Sequence, residues 1–326
     1  MSKFNTLSEV ALCCLFAVFC AQPALALTVE IQERTNFSSL IKNVDGIPQT
    51  VRVSRVSGDG TVAVGQFATT KHERRVFRYI KSGGIEDLGV FGENHIGIEG
   101  LSISDDGLVI WGTFYVASGA HRIFLYTKDG GLQDLGTLGH SHTHTEATSA
   151  DGAFVVGTFS NGASPSHVFR YSQSEGFEEL GSMGAKYAAA RGVSADGSLI
   201  VGNIGFTRGD DRSAHAFRFS LRDGVQDIGD VGGNTSFATG ISNDGSVIVG
   251  MYFGEHSFRH QTYYTHAFVY TTADGMKELG SLGGRSVGNL SISADGTKVS
   301  GSYMDSNDES YVYTAIVKTG GYSTRP

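Results

Sequence analysis

Short apolar runs alternate with glycine-rich turns along this chain, and the alternation itself repeats. HAFRFSLRDGVQDIGDVGG at 215–233 returns as HAFVYTTADGMKELGSLGG at 266–284, and three worn copies of the same length stand at 75–93, 122–140 and 167–185. Between them runs a second phrase, S-x-D-G followed by an apolar run and a closing glycine. Its six copies, at spacings of 45 to 51 residues, are SGDGTVAVG (57–65), SDDGLVIWG (104–112), SADGAFVVG (149–157), SADGSLIVG (194–202), SNDGSVIVG (242–250) and SADGTKVSG (293–301). Within HAFRF, His215, Phe217 and Phe219 fall on one face and Ala216 and Arg218 on the other, the period of a strand. Self-similarity on this scale marks a repeat architecture.

One repeat predicts four strands: a before the Asp-Gly (239–242), b after it (246–250), c at the HAFRF run and d at 225–229, entered through a glycine turn at 222–224. Asp-Gly between two apolar runs predicts a type I′ hairpin, and the closing glycine a bulge or a close backbone approach. Tyr252–Tyr264 reads as a variable loop between b and c. Four antiparallel strands per unit of this length predict an all-β, six-bladed β-propeller of four-stranded blades. The expected blades lie near 50–97, 98–145, 146–190, 191–238, 239–289 and 290–326. Strand d occurs five times, so the sixth blade needs a partner. TVEIQE (28–33) is spare and would close the ring, leaving no open edge.

Composition narrows the class. Forty-five Gly without a three-residue period exclude collagen, and the regular apolar runs between them exclude disorder. A net charge of −8 argues against nucleic acid or an anionic membrane as partner. Lys3, the apolar stretch 10–19 and Ala24-Leu25-Ala26 read as an export signal over 1–26. The mature domain would then span 27–326, secreted, cell-surface or periplasmic, with no transmembrane segment. All three cysteines fall inside the signal, so the mature domain would depend on packing alone.

The two phrases together resemble the HAF repeat of bacterial extracellular proteins, roughly HAFxY, a glycine turn, DLGTLGG and SADGxxIVG. His215-Ala216-Phe217, His266-Ala267-Phe268 and Asp134–Gly139 carry the likeness over about residues 50–320. The resemblance implies a secreted protein, in some cases an autotransporter passenger, and brings no defined activity, cofactor or substrate. The repeat's first residue drifts to Arg75, Arg122 and Thr314, which argues for an architectural role.

Candidate chemistry is sparse, and no cofactor is expected. In an extended run, His140, His142, His144 and Glu146 would share a face, with two of the histidines close enough to hold Zn²⁺, Cu²⁺ or Ni²⁺; a solvated loop is the plainer reading. Acidic loops at 304–310 and 208–212 lack an EF-hand pattern, and the second contains Arg-Gly-Asp, an adhesive tripeptide when exposed. Tyr252, Phe253, Phe258, Tyr263 and Tyr264 form the candidate contact patch. The expected function is a non-enzymatic binding or adhesion module for a glycan or an extracellular or host protein. The alternatives are a glycan lyase or hydrolase using channel-mouth carboxylates, or a passenger-like remnant.

Overall fold

The computed structural model describes residues 50–57, 61–69, 73–80, 82–91, 95–160, 166–205, 214–229, 235–257, 262–281, 286–304 and 310–317. The expected signal (1–26), closing strand (28–33), Arg-Gly-Asp loop and acidic stretch 305–309 lie outside them.

Six antiparallel meanders follow one another. They are β1 (Thr50–Val56), β2 (Val62–Ala68), β3 (Arg74–Ile80) and β4 (Gly84–Gly89); then β5 (His95–Ile103), β6 (Val109–Val116), β7 (His121–Thr127) and β8 (Gly131–Gly136). The third holds β9 (His142–Thr148), β10 (Phe154–Ser160), β11 (His167–Ser172) and β12 (Gly176–Gly181), the fourth β13 (Tyr187–Val193), β14 (Leu199–Gly205), β15 (Ala214–Ser220) and β16 (Gly224–Gly229). The fifth is β17 (Ser236–Ile241), β18 (Val247–Ser257), β19 (Thr262–Thr271) and β20 (Gly275–Gly280); of the sixth, β21 (Ser286–Ile292), β22 (Lys298–Met304) and β23 (Ser310–Ile316) are described. First strands of successive blades pack together, β1 with β5, β5 with β9, β9 with β13, β13 with β17 and β17 with β21. They therefore stand around the axis, and the chain is a six-bladed β-propeller.

Its core is divided by blade. One apolar cluster fills each of the five consecutive blade interfaces, such as Trp111, Ile123, Val155 and Phe169 between blades two and three. The repeated phenylalanine of strand c (Phe77, Phe124, Phe169, Phe217, Phe268) is fully buried in every copy. It lies under the closing glycine of strand b: a Cβ at Gly157 would meet the Phe169 ring and the His144 carbonyl oxygen. The first strand bulges opposite that glycine, at Ser54, Glu146, Arg191 and Thr239 in four blades and over two residues in the other two.

The S-x-D-G turns differ from the expected type I′ hairpin. The glycine is left-handed, with φ of 70° at Gly107 and Gly197, but the aspartate is not. Gly107 N–H donates to the Ser104 carbonyl oxygen, a type I turn. The aspartate keeps negative φ because its carboxylate is engaged: Ser194 Oγ donates to Asp196 Oδ1 at 2.6 Å and Ser198 N–H at 3.0 Å. Those bonds also hold the Asp196 and Asp244 carboxyls below the usual range, the serine hydroxyl contributing most. Paired left-handed residues occur instead at the blade-to-blade connections, Leu138-Gly139 and Met183-Gly184.

Each turn also locks onto the preceding blade. Gly107 abuts Val62, Gly152 abuts Val109 and Gly197 abuts Phe154. Trp111 Nε1 donates to the Gly152 carbonyl at 2.9 Å, and Arg170 to that of Gly197 at 3.0 Å.

Two boundaries depart from expectation. First strands begin at His95, His142, Tyr187, Ser236 and Ser286, three or four residues before the expected blade limits, because no repeated phrase marks their start. Residues 252–264 are largely strand: β18 and β19 continue as a long hairpin, bulged between Phe253 and His256.

Gly197→Ala forces a left-handed alanine and puts its Cβ 2.6 Å from Phe154. It is expected to cost about 2–3 kcal/mol, read as a lowered urea midpoint. An unchanged midpoint would remove the turn from the inter-blade lock.

Candidate functional site

The His of the HAF phrase is structural. His167 Nδ1 donates to Glu179 at 2.6 Å and His215 Nδ1 to Asp227 at 2.7 Å, each from strand c to strand d of its own blade. Arg75 and Arg122 make the same bond to Asp87 and Asp134 at 2.8 and 2.9 Å. Both residue types present an N–H to a carboxylate, so drift between them leaves the clamp intact. The second carboxylate oxygen accepts the N–H of the left-handed glycine two residues on, at 2.8 Å for Asp227 and Gly229. In blade five, Tyr252 intervenes: it bonds His266 at 3.2 Å, and burial, then the charge and hydrogen bond of Glu278, push its phenol up to about 12.

Antiparallel order puts the a–b and c–d turns at one end of the ring, and the b–c loops and blade connections at the other. The first end carries near-identical S-x-D-G turns. The other end, over blades two to four, breaks the repeat with charge. On β9, Thr143 and Thr145 are fully buried, Thr145 bonding Gly100 and Thr113 of blade two. Alternation then leaves His142 and His144 on the opposite, half-exposed face.

His121, which starts β7, meets both. Its ring lies edge-on at 4.8 Å to His142 and 4.7 Å to His144, with His121 Nε2 3.4 Å from His142 Nδ1. Tyr115 of β6 packs against His121 at 4.3 Å, and Glu99 of β5 lies 3.9 Å from His144 Nδ1. Burial first, then the neighbouring His144 and His142, lowers His121 to about 4. Burial, with the hydrogen bond and charge of Glu99, holds the Tyr115 phenol above its ordinary value.

Deeper along β9, the bulge residue Glu146 faces the bulge residue Arg191 of β13 at 3.7 Å. Arg191 is steadied by Asn203 at 3.2 Å. Burial raises the Glu146 carboxyl, Arg191 and Arg55 oppose it, and Glu99 adds to it. Glu146 and Arg191 stand on first strands that pack together around the axis, so the pair lines the channel.

The expected sites fare unevenly. His142 and His144 are together, but His140 is apart, in the turn closed by its N–H to Thr137, its ring packed at a tilt against Phe159 and Phe177 at 4.0 and 5.0 Å. Among the described residues, no three His, Cys, Asp or Glu groups already stand as a metal centre. Of the aromatic patch, Tyr252 is 4% exposed and is no surface contact, its ring being used inside blade five. Phe253 packs edge-on against Phe237 at 5.6 Å, Tyr264 is half-buried, Tyr263 is on β19, and Phe258 lies outside the described residues. Glu99, Tyr115, His121, Glu146 and Arg191 were not singled out from the sequence as a binding group. A legible signal existed: three residues before the S-x-D-G serine, the repeat reads Ser54, Leu101, Glu146, Arg191, Thr239, Leu290.

No family model and no curated protein matches the chain. Solved structures do. The β-propeller domain of the trilobed protease from Pyrococcus furiosus, described as having an open velcro topology, aligns with a TM-score of 0.58 at 14% identity over 84% of each chain. The acylaminoacyl peptidase of Pyrococcus horikoshii aligns at 0.56 and 12% identity, over 84% of this chain and 47% of that one. A prolyl endopeptidase aligns at 0.55 and 12% identity, over 85% of this chain and 42% of that one. At these identities the likeness shows the propeller fold alone; in the two peptidases it spans under half of the whole protein. No helix among the described residues is long and apolar enough to cross a membrane.

Two outcomes follow. His215→Arg should hold stability within about 0.3 kcal/mol while His215→Ala loses about 0.5–1, measured by urea unfolding; equal losses would deny the clamp. By carboxyl-carbon NMR, Glu146 should titrate above the ordinary glutamate range, higher still in Arg191→Ala and lower in Glu99→Gln. Insensitivity to both variants would dissolve the channel group.

Proposed function

We propose that this protein is an exported propeller of the HAF-repeat kind, working as a binding and adhesion module for a glycan or an extracellular or host protein surface. Its ligand sits at the channel mouth over blades two to four, on the end carrying the b–c loops. The observation that carries this reading is the inequality of the two ends. One end repeats a single turn and is consumed in joining blades. The other abandons the repeat at Glu99, His121, His142 and His144, and Glu146 and Arg191 carry the departure further along the channel wall; the propeller itself asks for no particular side chain at these positions. Polar groups of both signs with aromatic Tyr115 beside them suit sugar hydroxyls or a mixed-charge protein surface.

A second reading rests on Glu146 itself: paired with Arg191 at 3.7 Å on the channel wall, it is a carboxyl raised chiefly by burial, with Glu99 of the neighbouring blade adding to the rise. That is the environment of an acid–base pair, and it would make the mouth the site of a glycan lyase or hydrolase.

Purified protein screened on arrays of glycans and matrix proteins should show saturable binding that Arg191→Ala weakens by about tenfold or more, about 1.4 kcal/mol. Lys128→Ala, on the opposite end, should leave it unchanged. Binding indifferent to Arg191 would take the channel wall out of the contact, and binding lost in Lys128→Ala would overturn the assigned face. Cleavage of a bound glycan, abolished by Glu146→Gln, would establish the catalytic reading.

A further inference from the structure

Strand register divides the channel wall into two unlike halves. Arg52, Glu99, His144, Ala189, Phe237 and Gly288, one from each blade, all pair with the residue that follows the closing glycine of strand b. They therefore stand at one level of the six first strands. Residues on either side of this level are buried, as Ser236 and Ala238 are beside Phe237, so alternation turns the level itself toward the axis. Blades one to three give it charge, with Glu99 and His144 Nδ1 3.9 Å apart. Blades four to six give it two small residues and one aromatic.

Phe237 is the exception on its arc. It is half-exposed, and it belongs to neither apolar cluster that joins blade five to its neighbours. Packing between blades does not use it. Phe253 of β18 braces the ring edge-on, with centroids 5.6 Å apart at 85°. On the blade-six side the wall is open, since a Cβ at Gly288 would meet only the Ser302 hydroxyl oxygen, at 3.4 Å. In a ring of six, blade five stands across the axis from blade two, so Phe237 looks toward the side that carries Glu99.

We propose that Phe237 is the stacking platform of a sugar subsite inside the channel. One pyranose ring of a glycan lays its C–H face on Phe237 and turns its hydroxyls to Glu99 and His144 on the polar arc. A pyranose carries both surfaces, aliphatic on its face and polar round its edge, and a wall with one aromatic and one polar arc complements it. Depth favours the same ligand. His144 lies two residues beyond His142, about 7 Å further along the strand, a level that the end of a glycan chain enters and a flat protein surface does not. The inference rests on the channel mouth being the binding face, and it selects the glycan as the ligand taken there.

Full-length protein is screened on an array of neutral, N-acetylated and uronate oligosaccharides, and the best-bound tetrasaccharide is then titrated by calorimetry. Phe237→Leu, which keeps apolar volume against Phe253, should weaken binding by about tenfold, the upper range of one aromatic contact. Phe237→Trp should retain it. Gly288→Leu fills the open wall beside the ring and should weaken binding to a similar degree, with circular dichroism confirming that each variant is folded. Saturation-transfer NMR should mark the axial C–H protons of one sugar face, and the mark should fade in Phe237→Leu. Binding that falls with Arg191→Ala but ignores both Phe237→Leu and Gly288→Leu would overturn the subsite and leave the mouth as the binding face. Saturable binding to matrix proteins alone would overturn it too, and binding to neither class would overturn the subsite together with the binding reading.

Discussion

Everything in this propeller hangs on the contact between an S-x-D-G turn and the blade before it. The turn closes on itself through serine and aspartate, each bond worth about 1 kcal/mol net. That frees the glycine to present a side without Cβ to the first b-strand residue of the neighbour, as Gly197 does to Phe154. A larger residue would hold the blades apart, and the apolar clusters between them would lose their close packing. Five repetitions of this contact set blade spacing, and blade spacing sets everything at the axis.

A second constraint acts within each blade. Buried phenylalanine from strand c occupies the space over the closing glycine of strand b, and strand a bulges around it. Bulges re-aim side chains, here toward the channel in blades three and four. The fold fixes that a residue must protrude there and leaves its identity free. Glu146 and Arg191 use that freedom and Ser54 and Thr239 do not, so polarity at the axis is local to a few blades while the scaffold stays regular.

The HAF histidine shows the opposite economy. A residue repeated in several blades invites a functional reading, yet His167 and His215 are spent on holding strand c to strand d, as Arg75 and Arg122 are. The repeat is broken elsewhere: His121, His142 and His144 belong to no repeated phrase.

Sequence by itself determined the architecture, since its signals are local and recur. S-x-D-G, the closing glycine and the alternating HAFRF run each state a short-range rule, and their number and spacing require six four-stranded units around an axis. Asp-Gly was misread as type I′ because the turn type depends on what the aspartate carboxylate accepts, which the dipeptide alone does not reveal. The starts of the first strands are not legible because no repeated phrase marks them. The tertiary structure alone decided the site. His121 is 21 residues from His142 and Glu146 is 45 from Arg191 in the chain, and in each pair the two residues sit in different blades. Only ring geometry, set by packing between blades, brings them within reach; it also parts His140 from His142, two residues away, by ending the strand between them.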